Sequence, residues 1–145
     1  MGRPYVIDTT VVVAGLLTAR AEAPTARILD AMIAADFVYL LSEALLTEYR
    51  GVLIRPRIRT RHGLSEREVD ALLECIAENA AIREPGASIT VPPDPGDAHL
   101  WALLDGEPEA ILVTGDKALL ENPPRKDALC TPAVFVESVL DRDER

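Results

Sequence analysis

Asp8 closes a short apolar run, Tyr5-Val-Ile, and is followed by Thr9, Thr10 and a second apolar run. Asp116 follows another such run, Ala110-Ile-Leu-Val-Thr114, across Gly115. Between them lie Glu48, three residues after Leu45 and four before Val52, and Asp97, three, four and seven residues before Leu100, Trp101 and Leu104. Singly, each acid has a plain explanation. Asp8 and Asp116 suit turns or helix caps, Asp94 suits an N-cap in front of Pro95, and Asp97 complements a helix dipole. Glu48 falls mid-helix, where capping does not apply, and its plain explanation is an ion pair with Arg50 or Arg55. Jointly, four carboxylates on one apolar edge would repel, and burial would disfavour their charged forms. A cation relieves both penalties. Carboxylates without His or Cys partners suit hard ions, Mg²⁺ or Mn²⁺. His62 and His99 lack paired zinc spacing, so zinc is not expected.

The elements that must position these acids follow from periodicity. Short runs rich in β-branched residues read as strands buried on both faces. The pattern predicts strands over 5–7, 37–41, 110–114 and 128–130, with 87–91 as a short strand or an extended link. Helices are expected over 11–17, capped by Thr9 or Thr10; over 24–35; over 43–54, behind Ser42; and behind the capping box Ser65-Glu-Arg-Glu68. Further helices are expected over 97–105 and 117–121, with a last one opened by Thr131 and Pro132. Residues 57–63 read as a basic connector after Pro56. Strands alternating with helices predict a three-layer α/β/α sandwich with a central, mostly parallel sheet, as one domain over 1–145. Right-handed crossovers place the strand C-termini along one edge, where sites form in open parallel sheets.

Composition bounds the partners. With 48% hydrophobic but 4% aromatic residues, the core must be aliphatic. No run reaches the length of a membrane span, and neither a signal peptide nor a myristoylation signal is evident. Cys75 and Cys130, isolated in apolar surroundings, read as reduced core residues, which suits a cytoplasmic protein. The net charge of −9 argues against nucleic acid. Against that, Arg50, Arg55, Arg57, Arg59, Arg61 and His62 crowd one stretch. Such a stretch either contacts a phosphate backbone or is a solvated connector complementing a helix end.

Four stretches carry a resemblance. Val6-Ile-Asp8-Thr-Thr is similar to the opening strand and first acid of the PIN-domain nucleases. Ser42-Glu-Ala-Leu-Leu-Thr-Glu48-Tyr-Arg-Gly-Val-Leu53 resembles the helix bearing that family's glutamate. Asp94-Pro-Gly-Asp97-Ala-His-Leu resembles its third acidic motif, and Val113-Thr-Gly-Asp116-Lys-Ala-Leu-Leu120 its fourth. The segment from Val52-Leu-Ile-Arg-Pro-Arg57 to Arg61-His-Gly-Leu-Ser65 resembles a subgroup of toxins from toxin–antitoxin pairs. Thr10 departs from the pattern, which commonly has Asn two residues after the first acid. The third acid is Asp94 or Asp97; helical phase and the family pattern favour Asp97.

The acids and the resemblance together lead to the expectation of a metal-dependent endoribonuclease, the toxin of such a pair. Asp8, Glu48, Asp97 and Asp116 would be catalytic, with Asp8, Asp97 and Asp116 holding Mg²⁺ or Mn²⁺ to activate a water. Thr10, Thr114 and Asp94 would support them, and Arg55, Arg57, Arg59 and Arg61 would bind RNA. The resemblance further implies an antitoxin protein over the acidic cleft and a homodimer; no membrane partner is expected. Two alternatives stand beside this reading. One is an aspartyl-phosphate phosphohydrolase with Asp8 as nucleophile and Lys117 as phosphate partner, although Thr10 occupies the position where such enzymes usually carry a second acid. The other is a non-catalytic PIN-like module that binds RNA or protein.

Overall fold

The computed structural model describes residues 2–88 and 90–143. In chain order its elements are β1 (Tyr5–Ile7), α1 (Thr9–Leu17), α2 (Pro24–Ile33), β2 (Leu40–Leu41), α3 (Glu43–Leu53), α4 (Pro56–His62), α5 (Glu66–Asn79) and β3 (Ala81–Ile82). A 3₁₀ turn (Pro95–Asp97) leads into α6 (Ala98–Gly106), followed by β4 (Ile111–Val113), α7 (Lys117–Glu121), β5 (Leu129–Cys130) and α8 (Pro132–Phe135). A π turn (Val136–Leu140) and α9 (Asp141–Asp143) complete the order.

Every pairing between these strands is parallel. Ile7 lies opposite Val113, and Val113 opposite Cys130. Leu40 and Leu41 pair with Ala81 and Ile82. A parallel bridge between Tyr5 and Tyr39 joins the two sheets. Helices flank the sheet to make the α/β sandwich: α1, α2, α3 and α5 pack on one another, while α6 packs on β1 and β4. Val6, Ile7, Leu41, Leu112, Val113 and Trp101 are completely buried, as continuous apolar strands covered on both faces require. At the N-terminal ends of the strands, Tyr5, Phe37, Tyr39 and Phe135 meet edge-on or tilted, with ring centroids 4.8–6.1 Å apart.

Several features position the opposite edge. A Cβ built at Gly15 would stand 2.5 Å from the Thr25 carbonyl oxygen, so glycine allows α1 to lie directly on α2. The buried Tyr49 hydroxyl donates to the Ile7 carbonyl at 2.5 Å and fixes the end of β1 to α3. The capping box at Ser65 forms as its sequence implies, with both reciprocal bonds present.

Other local expectations change. Residues 57–63 are not a connector: Pro56 opens α4 as its first residue, and Gly63, at φ 73°, closes it. The 87–91 strand does not form among the described residues; Ile89 lies outside them, and the strand is β3, directly behind α5. The 37–41 strand shortens to β2, with Tyr39 making a single bridge. Asp8, not Thr9 or Thr10, occupies the cap position of α1, and α2 stops at Ile33. Cys75 and Cys130 are free thiols, each half-buried rather than fully in the core. Among the described residues, no helix is long and apolar enough to cross a membrane.

Candidate active site

Capping separates the acids from one another. Asp116 caps α7 by accepting from Ala118 N at 2.9 Å through Oδ1. Asp94 accepts from Gly96 N at 2.9 Å, is exposed, and does not line the cleft described below. Asp8 sits at the cap position of α1 but caps nothing with its side chain. Asp97 sits likewise at the start of α6 without a capping bond.

Asp8 is buried, with only 4% of its surface exposed. Its Oδ2 accepts from Thr114 Oγ1 at 2.7 Å and Thr10 Oγ1 at 2.9 Å. Thr114 is wholly buried, and its hydroxyl oxygen in turn accepts from Asp116 N at 3.0 Å. One hydroxyl therefore ties the first acid to the fourth across the β1–β4 pairing. Thr10 makes the short polar contact to the acid that the family's Asn position suggests.

Asp8, Glu48, Asp97 and Asp116 all line one open cleft of about 720 Å³ at the C-terminal ends of β1 and β4. Val13, Ala14, Leu17, Val52 and Ile58 make its apolar wall, with Arg55 and Arg61 among the lining residues. The acids sense one another. Burial, followed by the charges of Asp8, Asp94, Glu48 and Asp116, pushes the Asp97 carboxyl up to about 6. Burial also raises Asp8, and Glu48 adds to the rise, against the lowering effect of the Thr114 and Thr10 hydroxyls.

Glu48 does not pair with Arg50 or Arg55. Arg50 binds Asp70 at 2.7 Å instead, on the outer side of α3. The Glu48 Oε1 accepts from the Thr9 hydroxyl, and Oε2 lies 3.0 Å from His99 Nε2. Sequence reasoning missed both partners. Thr9 adjoins Asp8 and His99 lies two residues past Asp97, but neither spacing announces a contact across three helices.

The basic stretch divides. Arg55 and Arg61 reach the cleft, whereas exposed Arg57 does not line it and Arg59 faces Glu66 at 3.9 Å. His62 is structural: Nε2 bonds the Leu53 carbonyl at 2.8 Å and Nδ1 accepts from Leu64 N at 2.9 Å. Lys117, expected as phosphate partner in the phosphohydrolase alternative, has an 87% exposed side chain facing Glu121, and it does not line the cleft.

The donor set fits a hard divalent cation. It is all carboxylate oxygen, and burial together with neighbouring acid charge pushes the Asp97 and Asp8 carboxyls up, as for unneutralised acids. Among the described residues, no three His, Cys, Asp or Glu side chains are already gathered as a metal site. The fit is one of donor chemistry and shared cleft, not of finished coordination. A family model described as PIN domain matches residues 4–118, a span that includes all four acids. No curated protein matches the chain.

Proposed function

Since the chain belongs to the PIN-domain family, a nuclease-type fold, we propose that it is a Mg²⁺- or Mn²⁺-dependent endoribonuclease acting at the acidic cleft. The observation that carries this reading is the meeting of Asp8, Glu48, Asp97 and Asp116 in one cleft beside Arg55 and Arg61.

Asp8, Asp97 and Asp116 would hold the metal. Bound there, it would lower the pKa of a water and offset charge developing on the scissile phosphate. Asp8 enters with its carboxylate already oriented by the Thr10 and Thr114 hydroxyls. Asp116 keeps Oδ2 outside its capping bonds, and Asp97 has no cap to serve. Unneutralised, this floor repels a phosphodiester, so the acids themselves make catalysis conditional on a cation. Arg55 and Arg61 supply backbone attraction that does not depend on sequence. The reading also takes residues 1–145 as one domain, in a toxin whose cleft an antitoxin protein covers and which pairs as a homodimer; similarity to the toxin subgroup supports these last points.

The test is cleavage of a single-stranded RNA by protein stripped with chelator. Cleavage should return with Mn²⁺ or Mg²⁺ and collapse in folded Asp8→Asn and Asp116→Asn variants. Cleavage that persists without a divalent ion and survives both substitutions would refute the proposal.

A further inference from the structure

Glu48 differs from the other cleft acids in that each of its two oxygens meets a side chain from a different helix. It projects from mid-α3, with a third of its side chain exposed to the cleft. Thr9, buried at the first position of α1, donates its hydroxyl to Oε1. His99, in the first turn of α6, meets Oε2 at 3.0 Å. Three helices are therefore pinned at one carboxylate, one oxygen to each partner.

The imidazole reveals its own proton. A carboxylate accepts and does not donate, so Nε2 must carry the hydrogen. His99 Nδ1 is buried and has no partner among the described residues. The ring therefore presents Nε2–H to Glu48.

A glutamate carries three rotatable bonds, and a mid-helix position alone fixes none of its outer ones. We infer that Thr9 and His99 are positioning residues that lock the Glu48 carboxylate, so that its remaining lone pairs face the cleft in one direction. That direction suits holding the attacking water, while Asp8, Asp97 and Asp116 serve the cation. The inference rests on the nuclease reading, but it concerns side chains neither the acidic motifs nor helix capping accounts for.

The test has two arms. In the first, metal-free protein labelled with ¹⁵N is studied by long-range imidazole NMR, the chain's only other histidine being His62. His99 should be in the Nε2–H form, with its signals displaced in Glu48→Gln. An Nδ1–H ring, or an averaging one indifferent to Glu48→Gln, would overturn the clamp whether or not the protein cuts RNA. In the second, Mn²⁺-supported RNA cleavage is compared in Thr9→Val and His99→Leu. Each should lower kcat about 10- to 100-fold, the scale of a displaced reacting group, with KM and Mn²⁺ affinity unchanged. Thr9→Ser and His99→Gln, which restore a donor near the same point, should recover most of the activity. Wild-type kcat in His99→Leu, alongside collapse in Glu48→Gln, would sink the positioning role and leave the nuclease reading intact. A wild-type protein inert under every divalent ion would sink that reading, with the NMR arm still judging the clamp.

Discussion

Of the four cleft acids, three stand where a helix begins, yet only Asp116 uses its carboxylate as a cap. That difference makes substitutions informative. Asn caps about as well as Asp, so Asp116→Asn should leave α7 intact. We expect Asp116→Asn and Asp8→Asn each to reduce kcat by at least about 10²-fold, the scale on which removal of a charge-stabilising group is felt. Circular dichroism should show both folded. Asp97 gives a pH signature. Its carboxyl titrates at about 6 in the folded protein against an ordinary 3.8. The folded state thus holds a proton where the unfolded chain has released it. The associated stability is complete below 3.8 and disappears as pH rises through about 6. Metal-free Asp97→Asn should therefore melt above the parent at pH 8, by about 2–4 °C for each kcal/mol relieved. At pH 3.5 the two melting curves should converge. A variant that melts lower than its parent at pH 8 would contradict the mutual repulsion.

Among the elements, α1 and α3 form one side of the site and are fastened by bonds and packing outside it. Tyr49→Phe removes the bond to the Ile7 carbonyl and leaves that buried acceptor unpaired, which should cost about 1–3 kcal/mol in urea unfolding. Gly15→Ala forces a methyl against the Thr25 carbonyl and should cost a similar amount, about 1–3 kcal/mol, by parting α1 from α2. Neither change touches a cleft acid, so any fall in activity should follow the folded fraction. The strands that place Asp8 and Asp116 were legible because buried parallel strands are continuous apolar runs with a sharp polar end. The Ser65 helix was legible because its capping box is a local signature. Helix α4 was not: its arginines leave no apolar stripe, and Pro56 serves equally as a stop or as a first residue. A two-residue strand such as β3 has no period to read. The Glu48 clamp was hidden for another reason, since Thr9, Glu48 and His99 meet only through tertiary packing.

At the scale of the whole molecule, net charge and cleft charge share one sign, and two arginines stand against it. The chain carries −9, and its acids line the floor of a cleft that Arg55 and Arg61 also line. On the proposed reading, a phosphate backbone is attracted by two arginines and admitted to the floor only with a cation. Replacing both arginines with alanine should raise KM and reduce the slope of log KM against log salt by about 0.7 for each phosphate no longer neutralised. Arg57→Ala, away from the cleft, should change neither. The family match over 4–118 establishes the nuclease-type fold, and the cleft gathers the four acids on which the proposed chemistry rests. The central claim is that acids from opposite ends of the chain act as one cation site, and titration calorimetry with Mn²⁺ tests it most directly. Wild-type protein should bind Mn²⁺ with saturation, and Asp8→Asn and Asp116→Asn should each weaken that binding at least tenfold, equivalent to about 1.4 kcal/mol. Saturable Mn²⁺ binding of undiminished affinity in both variants would contradict it.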